Sequence, residues 1–181
     1  MFYKITLCGI TSCLLLACQH TNNSVQVSDA ILKSQQVRED ESIEMNKRMV
    51  AEGEIKIKQY IASKNLSMQR TGTGLYYRIE GEATGNKVLT KDIVHLKTKV
   101  YLLNDSLCYE TAGDSVSQFV VGYAAVESGL QEGLKYMCAG QKGIFLLPTH
   151  LAHGLSGDNN KIPPATAIRY DVELLKIEKQ N

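Results

Sequence analysis

The chain has no tryptophan, three phenylalanines and three prolines in 181 residues. Bulky aromatic seats are therefore few, and the adjacent Pro163 and Pro164 mark a rigid corner where φ is fixed. Neither sign of charge is in excess: 20 Lys and Arg stand against 19 Asp and Glu, for a formal net charge of +1. A nucleic-acid binder carries a basic excess, so that class is excluded. No block of like charge and no repeat period occurs. Conventional catalytic signatures are missing: there is no GxSxG, no P-loop and no HExxH. "THLAH" puts His150 and His153 three residues apart, but no third ligand accompanies them. No metal and no cofactor is expected.

A long hydrophobic run is also lacking. The one candidate, Ile5 to Ala17, is too short to span a bilayer and follows a positive residue, Lys4. That order fits a secretory signal peptide over residues 1–17. It ends in "LLAC", Leu15 to Cys18, which resembles a bacterial lipobox, with Cys18 as the lipidated first residue of the mature chain. The competing reading is an ordinary signal peptide with an incidental Cys. "TNNSVQVSD" after it is polar, so residues 18–28 read as a solvated tether. Acyl chains contribute about 0.8 kcal/mol per buried CH₂, and several together anchor firmly. The expected location is the cell envelope, held to a membrane through lipidated Cys18 and facing the periplasm.

The cysteines thin out in the same way. Cys8 and Cys13 leave with the signal and Cys18 carries lipid, so only Cys108 and Cys138 remain in the folded part. Export permits a bridge between them. Two separate, partly buried thiols are the other possibility, and spacing does not decide.

What is present is patterned. From Asp29 to about Lys64, Ile43, Val50 and Ile57 recur every seven residues among many Glu and Lys, which reads as one or two amphipathic helices within a helical segment 29–70. Their stripe needs a partner, either the downstream domain or a second copy through residues 29–64. "TGTG", Thr71 to Gly74, opens a β-rich domain, 71–181. Val94, Leu96, Thr98, Val100 and Leu102 share one face of a long strand, with His95, Lys97 and Lys99 on the other. Val126, Leu130, Leu134 and Met137 then recur at helical spacing up to Gly140. The last strand alternates again, with Ile168, Tyr170, Val172 and Leu174 on one side. One helix cannot cover both faces of a parallel sheet. The expected fold is α+β: an antiparallel sheet of five to six strands curled around one short helix, preceded by the N-terminal helical segment.

An apolar set remains on converging elements: Tyr109, Phe119, Val126, Leu130, Ile162 and Tyr170. By composition these are core residues. The motifs around them say more. "VESGLQEGLKYMCAGQKG" matches V-x-x-G-W/L-x-x-G-L-x-x-M-x-x-G-x-K, "PTHLAHG" matches P-x-x-L-A-Y-G, and "IPPATAIRYDVEL" matches I-P-P-x-x-x-L-x-F/Y-x-V-E-L. Together they closely resemble the C-terminal half of FKBP-type peptidyl-prolyl isomerases, and the resemblance runs from about Gly74 to Ile177. The helical segment before it resembles the exported lipoprotein branch, including gliding-motility-associated members.

The resemblance implies a prolyl isomerase assisting the folding of exported proteins, acting on their proline-containing segments in an apolar cup. A non-catalytic peptide-binding or chaperone module on the same fold is the alternative. Carried over position by position, Tyr109 is the cup wall, Glu110 the acid beside it, Phe119 the sheet aromatic, and Val126 and Glu127 the approach to the helix. Leu130 is the floor, where Trp is usual. His153 stands for a loop Tyr that donates to ligand, Ile162 begins the I-P-P corner, and Tyr170 is the final-strand aromatic. Leu96 stands where many members have Tyr. Tyr109, Glu110, His153 and Tyr170 are the expected catalytic set. The stretch from His153 to Lys161 is the expected flap over the cup.

Overall fold

A computed structural model describes residues 21–180, with side chains from Ile31 onward. The signal peptide expected over 1–17 and the lipidation site Cys18 lie outside the described residues. Helix α1 runs over Thr21–Ser63, so its start falls inside the stretch expected to be a tether. It is one helix, unbroken at Gly53, rather than two. Two compact units divide the chain at Met45/Asn46, within this helix. In the first unit Ile31, Leu32, Val37 and Ile43 are all exposed.

The second unit holds seven strands in one antiparallel sheet: β1 (Gln69–Arg70), β2 (Tyr76–Glu80), β3 (Ile93–Leu102), β4 (Leu107–Glu110), β5 (Ser117–Val120), β6 (Lys142–Leu147) and β7 (Ile168–Glu178). The order is β1-β2-β6-β7-β3-β4, with β5 also paired to β3. The strand beyond the expected six is β1, two residues long, which sequence periodicity cannot register. Antiparallel pairing lets each strand bury one side chain in two. Ile168, Tyr170, Val172 and Leu174 of β7 all face the core, with Val94, Leu96 and Val100 of β3 and Phe145 and Leu147 of β6.

Helix α2 (Ser128–Leu134) crosses this inner face. It is shorter than its apolar stripe predicts. Val126 precedes it, and Met137 follows in a tightened turn where backbone N–H groups of Lys135, Tyr136 and Met137 reach back three residues. Two glycines let it lie close. A Cβ on Gly129 would come within 2.6 Å of Leu147, and one on Gly133 within 2.7 Å of the Phe145 ring.

The end of α1 covers part of the outer face. Ile57 and Tyr60 are buried against Tyr76, Leu146 and Ala167. The Tyr60 hydroxyl donates to Asp105 at 2.7 Å and accepts from Arg169 at 2.7 Å, tying the helix to the β3–β4 turn and to β7. Cys108 and Cys138 are separate, buried, free thiols, so the bridge is not formed.

Candidate functional site

Five elements bring the expected residues together. β4 supplies Tyr109, β5 supplies Phe119, the approach to α2 supplies Val126 and Glu127, the loop after β6 supplies His153, and β7 supplies Tyr170. Tyr109, Phe119 and Val126 are half-buried and pack on the core cluster that contains Leu130, Ile162 and Tyr170.

Two expected members are elsewhere. Leu96 is 0% exposed and belongs to the core, with no surface to offer a ligand. Glu110 is exposed and lies 3.7 Å from Lys99, because alternation along β4 turns it to the opposite face from Tyr109. There it lines an open trough of about 560 Å³ with Lys97, Lys142, Asp171 and Glu173. Several of the trough's charges are paired, Lys142 with Glu173 at 3.4 Å and Lys99 with Glu110 among them, and Tyr101, Ile144 and Val172 also line it.

A carboxylate does lie among the expected site residues, that of Glu127. Its side chain is only 13% exposed, and Oε1 lies 2.8 Å from His153 Nε2. The same carboxylate sits beside the Tyr170 hydroxyl; burial first, then Glu127, push that phenol's pKa up. A neutral imidazole offers one donor and one acceptor nitrogen, and the Nε2 of His153 faces the Glu127 carboxylate. The sequence led to His153 as a donor to ligand; this nitrogen is turned to Glu127 instead.

The loop from His153 to Lys161 is firmly built. Asp158 Oδ1 accepts the backbone N–H groups of Asn160 at 2.9 Å and Ile162 at 2.8 Å, and Oδ2 accepts the Tyr109 hydroxyl. The Asp158 N–H donates to Ile162 O at 3.1 Å, and Ala165 N–H to Gly154 O at 3.2 Å closes the base. Gly157 has φ +68°, and a Cβ there would lie 2.3 Å from Ile162 O. Lys161 Nζ donates to Cys108 O at 2.7 Å and stands 5.2 Å from the Tyr109 ring centroid. Burial alone would raise the Asp158 pKa; hydrogen bonds from Tyr109, Ile162 and Asn160 outweigh it and hold the carboxyl at about 2. Sequence reasoning missed Asp158 and Lys161. The signal was the Asx-turn pattern of "GDNN", in which a side-chain oxygen bonds the backbone two residues on.

Comparison with known proteins gives the family of the chain. The model of the "FKBP-type peptidyl-prolyl cis-trans isomerase" family matches residues 85–175, half of the chain. The chain belongs to the FKBP-type peptidyl-prolyl cis-trans isomerase family. Among FKBP-type relatives, the isomerase FkpA of Aeromonas hydrophila is 34% identical over 133 residues, covering 71% of this chain and 48% of that protein. FK506-binding protein 3 of Dictyostelium discoideum is 32% identical over 102 residues, 55% of this chain and 52% of that one. The chain thus spans about half the length of these curated relatives. The crystal structure of FkpA from Escherichia coli superposes with a TM-score of 0.61 at 26% identity, over 90% of this chain and 74% of that one. No helix among the described residues is long and apolar enough to cross a membrane.

Proposed function

We propose that the protein is an exported prolyl cis-trans isomerase, tethered to a membrane by lipid on Cys18, that assists folding of proteins in the periplasm. The observation that supports this reading is the convergence of Tyr109, Phe119, Val126, Leu130, Ile162 and Tyr170 in one cluster of buried and half-buried side chains. A prolyl ring is the apolar, compact group that such a cluster accepts.

Rotation about X-Pro meets a barrier of about 18–20 kcal/mol, because the planar amide loses resonance as it twists. No nucleophile or proton transfer is needed. The planar amide is the more charge-separated form, so apolar surroundings disfavour it relative to the twisted one. Tyr109, Phe119, Val126, Leu130 and Tyr170 supply those surroundings. Glu127 orients His153 and Tyr170 at the edge, and His153 meets a substrate carbonyl when protonated and a substrate N–H when neutral. Each factor of ten in rate needs only about 1.4 kcal/mol of differential binding.

A protease-coupled assay on an X-Pro peptide tests the reading. The wild type should exceed the uncatalysed rate clearly, and Tyr109→Ala should lose most of the excess. A wild type indistinguishable from buffer would refute it.

A second reading, a binding module without turnover, is motivated by the departures from the family pattern at Leu96, Leu130 and His153. It predicts slowed aggregation of an unfolded client that contains no proline. We further propose that a second copy pairs with the chain through residues 29–64, motivated by the exposed Ile31, Leu32, Val37 and Ile43. Sedimentation should then give a dimer for the mature chain and a monomer for a chain shortened to begin at Asn46.

A further inference from the structure

We propose that Asp158 is a positioning residue of this site: by accepting the Tyr109 hydroxyl it fixes the ring of the cup wall and the flap in one arrangement. The proposal rests on the isomerase reading for its effect on rate, and on geometry for the latch itself.

Three features converge on Asp158. First, its two oxygens serve different elements. Oδ1 organises the flap internally through Asn160 and Ile162, and Oδ2 reaches across to β4 through Tyr109. One carboxylate therefore sets both the loop's curl and its seat. Second, Tyr109 is itself doubly constrained. Its hydroxyl is fixed by Asp158 while Lys161, from the same flap, stands over its ring and bonds the carbonyl of the preceding residue, Cys108. A half-buried phenol on a short edge strand has a rotatable ring; here the ring plane is held from both its tip and its face. Third, the acid expected to orient the wall, Glu110, is on the other side of the sheet. The orienting carboxylate is thus supplied by the flap rather than by the strand.

The arrangement has a chemical signature. The hydrogen bond to an anionic acceptor is the largest cause raising the Tyr109 pKa, and the same bond helps hold Asp158 ionised. Charge-assisted hydrogen bonds are short and about twice as strong as neutral ones. Ile162, whose N–H is one of the donors, begins the Pro-Pro corner and is also a floor residue. A displaced Asp158 would therefore shift the wall, the flap and the floor together, while β6 and β7, to which its side chain makes no hydrogen bond, stay in place.

The test is a double-mutant cycle in the mature chain with Asp158→Asn and Tyr109→Phe, alone and combined. Asn at 158 keeps an oxygen for the Asn160 and Ile162 N–H groups and loses the anionic acceptor. Phe at 109 keeps the ring and loses the donor. Each single change should lower kcat/KM for an X-Pro peptide about tenfold, the melting temperature remaining close to that of the wild type. The double change should be no worse than either alone. Hydrogen exchange of residues 155–161 gives an independent readout: Asp158→Asn should accelerate it and leave β6 and β7 unchanged. Full rate in Asp158→Asn, or losses that multiply to about a hundredfold in the double variant, would overturn the proposal. If the wild type has no isomerase rate, the functional reading fails instead; the latch then stands on faster flap exchange and falls if exchange is unchanged.

Discussion

Glu127 puts an ionisable group, mostly buried, beside the apolar side chains at the start of α2. Its cost is contained because the carboxylate has two partners, His153 and the Tyr170 hydroxyl. Removing it with Glu127→Ala leaves the nearly buried Tyr170 hydroxyl without its neighbour, and an unsatisfied buried hydroxyl costs about 1–3 kcal/mol. We expect kcat/KM for an X-Pro peptide to fall roughly tenfold, the change that 1.4 kcal/mol makes in a rate. Asp158 gives a prediction in pH. Its carboxyl pKa lies at about 2, below the ordinary 3.8. A depressed value in the folded chain means that its stabilising contribution is complete above the unfolded value and disappears as pH falls toward the folded one. Amide exchange of the flap should therefore stay slow at pH 5 and quicken between pH 4 and 2, whereas Asp158→Asn should show no such step. At this scale the sequence was half legible. Family spacing pointed to Tyr109, Phe119, Val126, Leu130, Ile162 and Tyr170, which share one cluster of buried and half-buried side chains. It gave no sign that Glu110 turns to the face opposite Tyr109 or that Leu96 is closed off, since a one-residue alternation on β4 and a fully closed core are consequences of register and packing, which a motif does not carry.

The elements show why the cup has a stable frame. Helix α2 is seven residues long and makes few hydrogen bonds of its own, so packing holds it. Gly129 and Gly133 face β6 at distances that leave no room for a side chain. Gly133→Ala should force the Phe145 ring to move and destabilise the fold by about 1–3 kcal/mol, the usual range for overpacking, which lowers the urea midpoint. The same pair was visible in the sequence as the G-x-x-x-G spacing of "GLQEG", though composition alone gave no reason for it. On the outer face, Ile57 is completely buried beneath the end of α1. Ile57→Ala should cost about 2–5 kcal/mol through lost transfer energy and a residual cavity. Calorimetry that finds less than about 1 kcal/mol would mean that this turn of the helix does not dock on the sheet. The heptad of Ile43, Val50 and Ile57 predicted a helix correctly, but of the three only Ile57 is buried; periodicity reports a face and not what covers it.

At the scale of the molecule, strand alternation and the single inserted helix were enough to fix an antiparallel α+β architecture, because each strand buries one face and turn residues bound it. The long-range strand order was not readable from periodicity. β7 lies between β3 and β6, and β2 pairs with β6 across more than sixty residues of chain, a result of closure of the whole sheet. The comparison with the Escherichia coli FkpA structure bears out the architecture. The result is a sheet with α2 on the inner face and the end of α1 on the outer.

The most direct test of the central claim is exchange spectroscopy by NMR on an X-Pro peptide with the mature chain added in catalytic amount. Uncatalysed interconversion takes tens to hundreds of seconds at 25 °C. The account predicts cis–trans exchange peaks within a second for the wild type and their loss for Tyr109→Ala. Exchange no faster than in peptide alone, with the wild type folded, would contradict it.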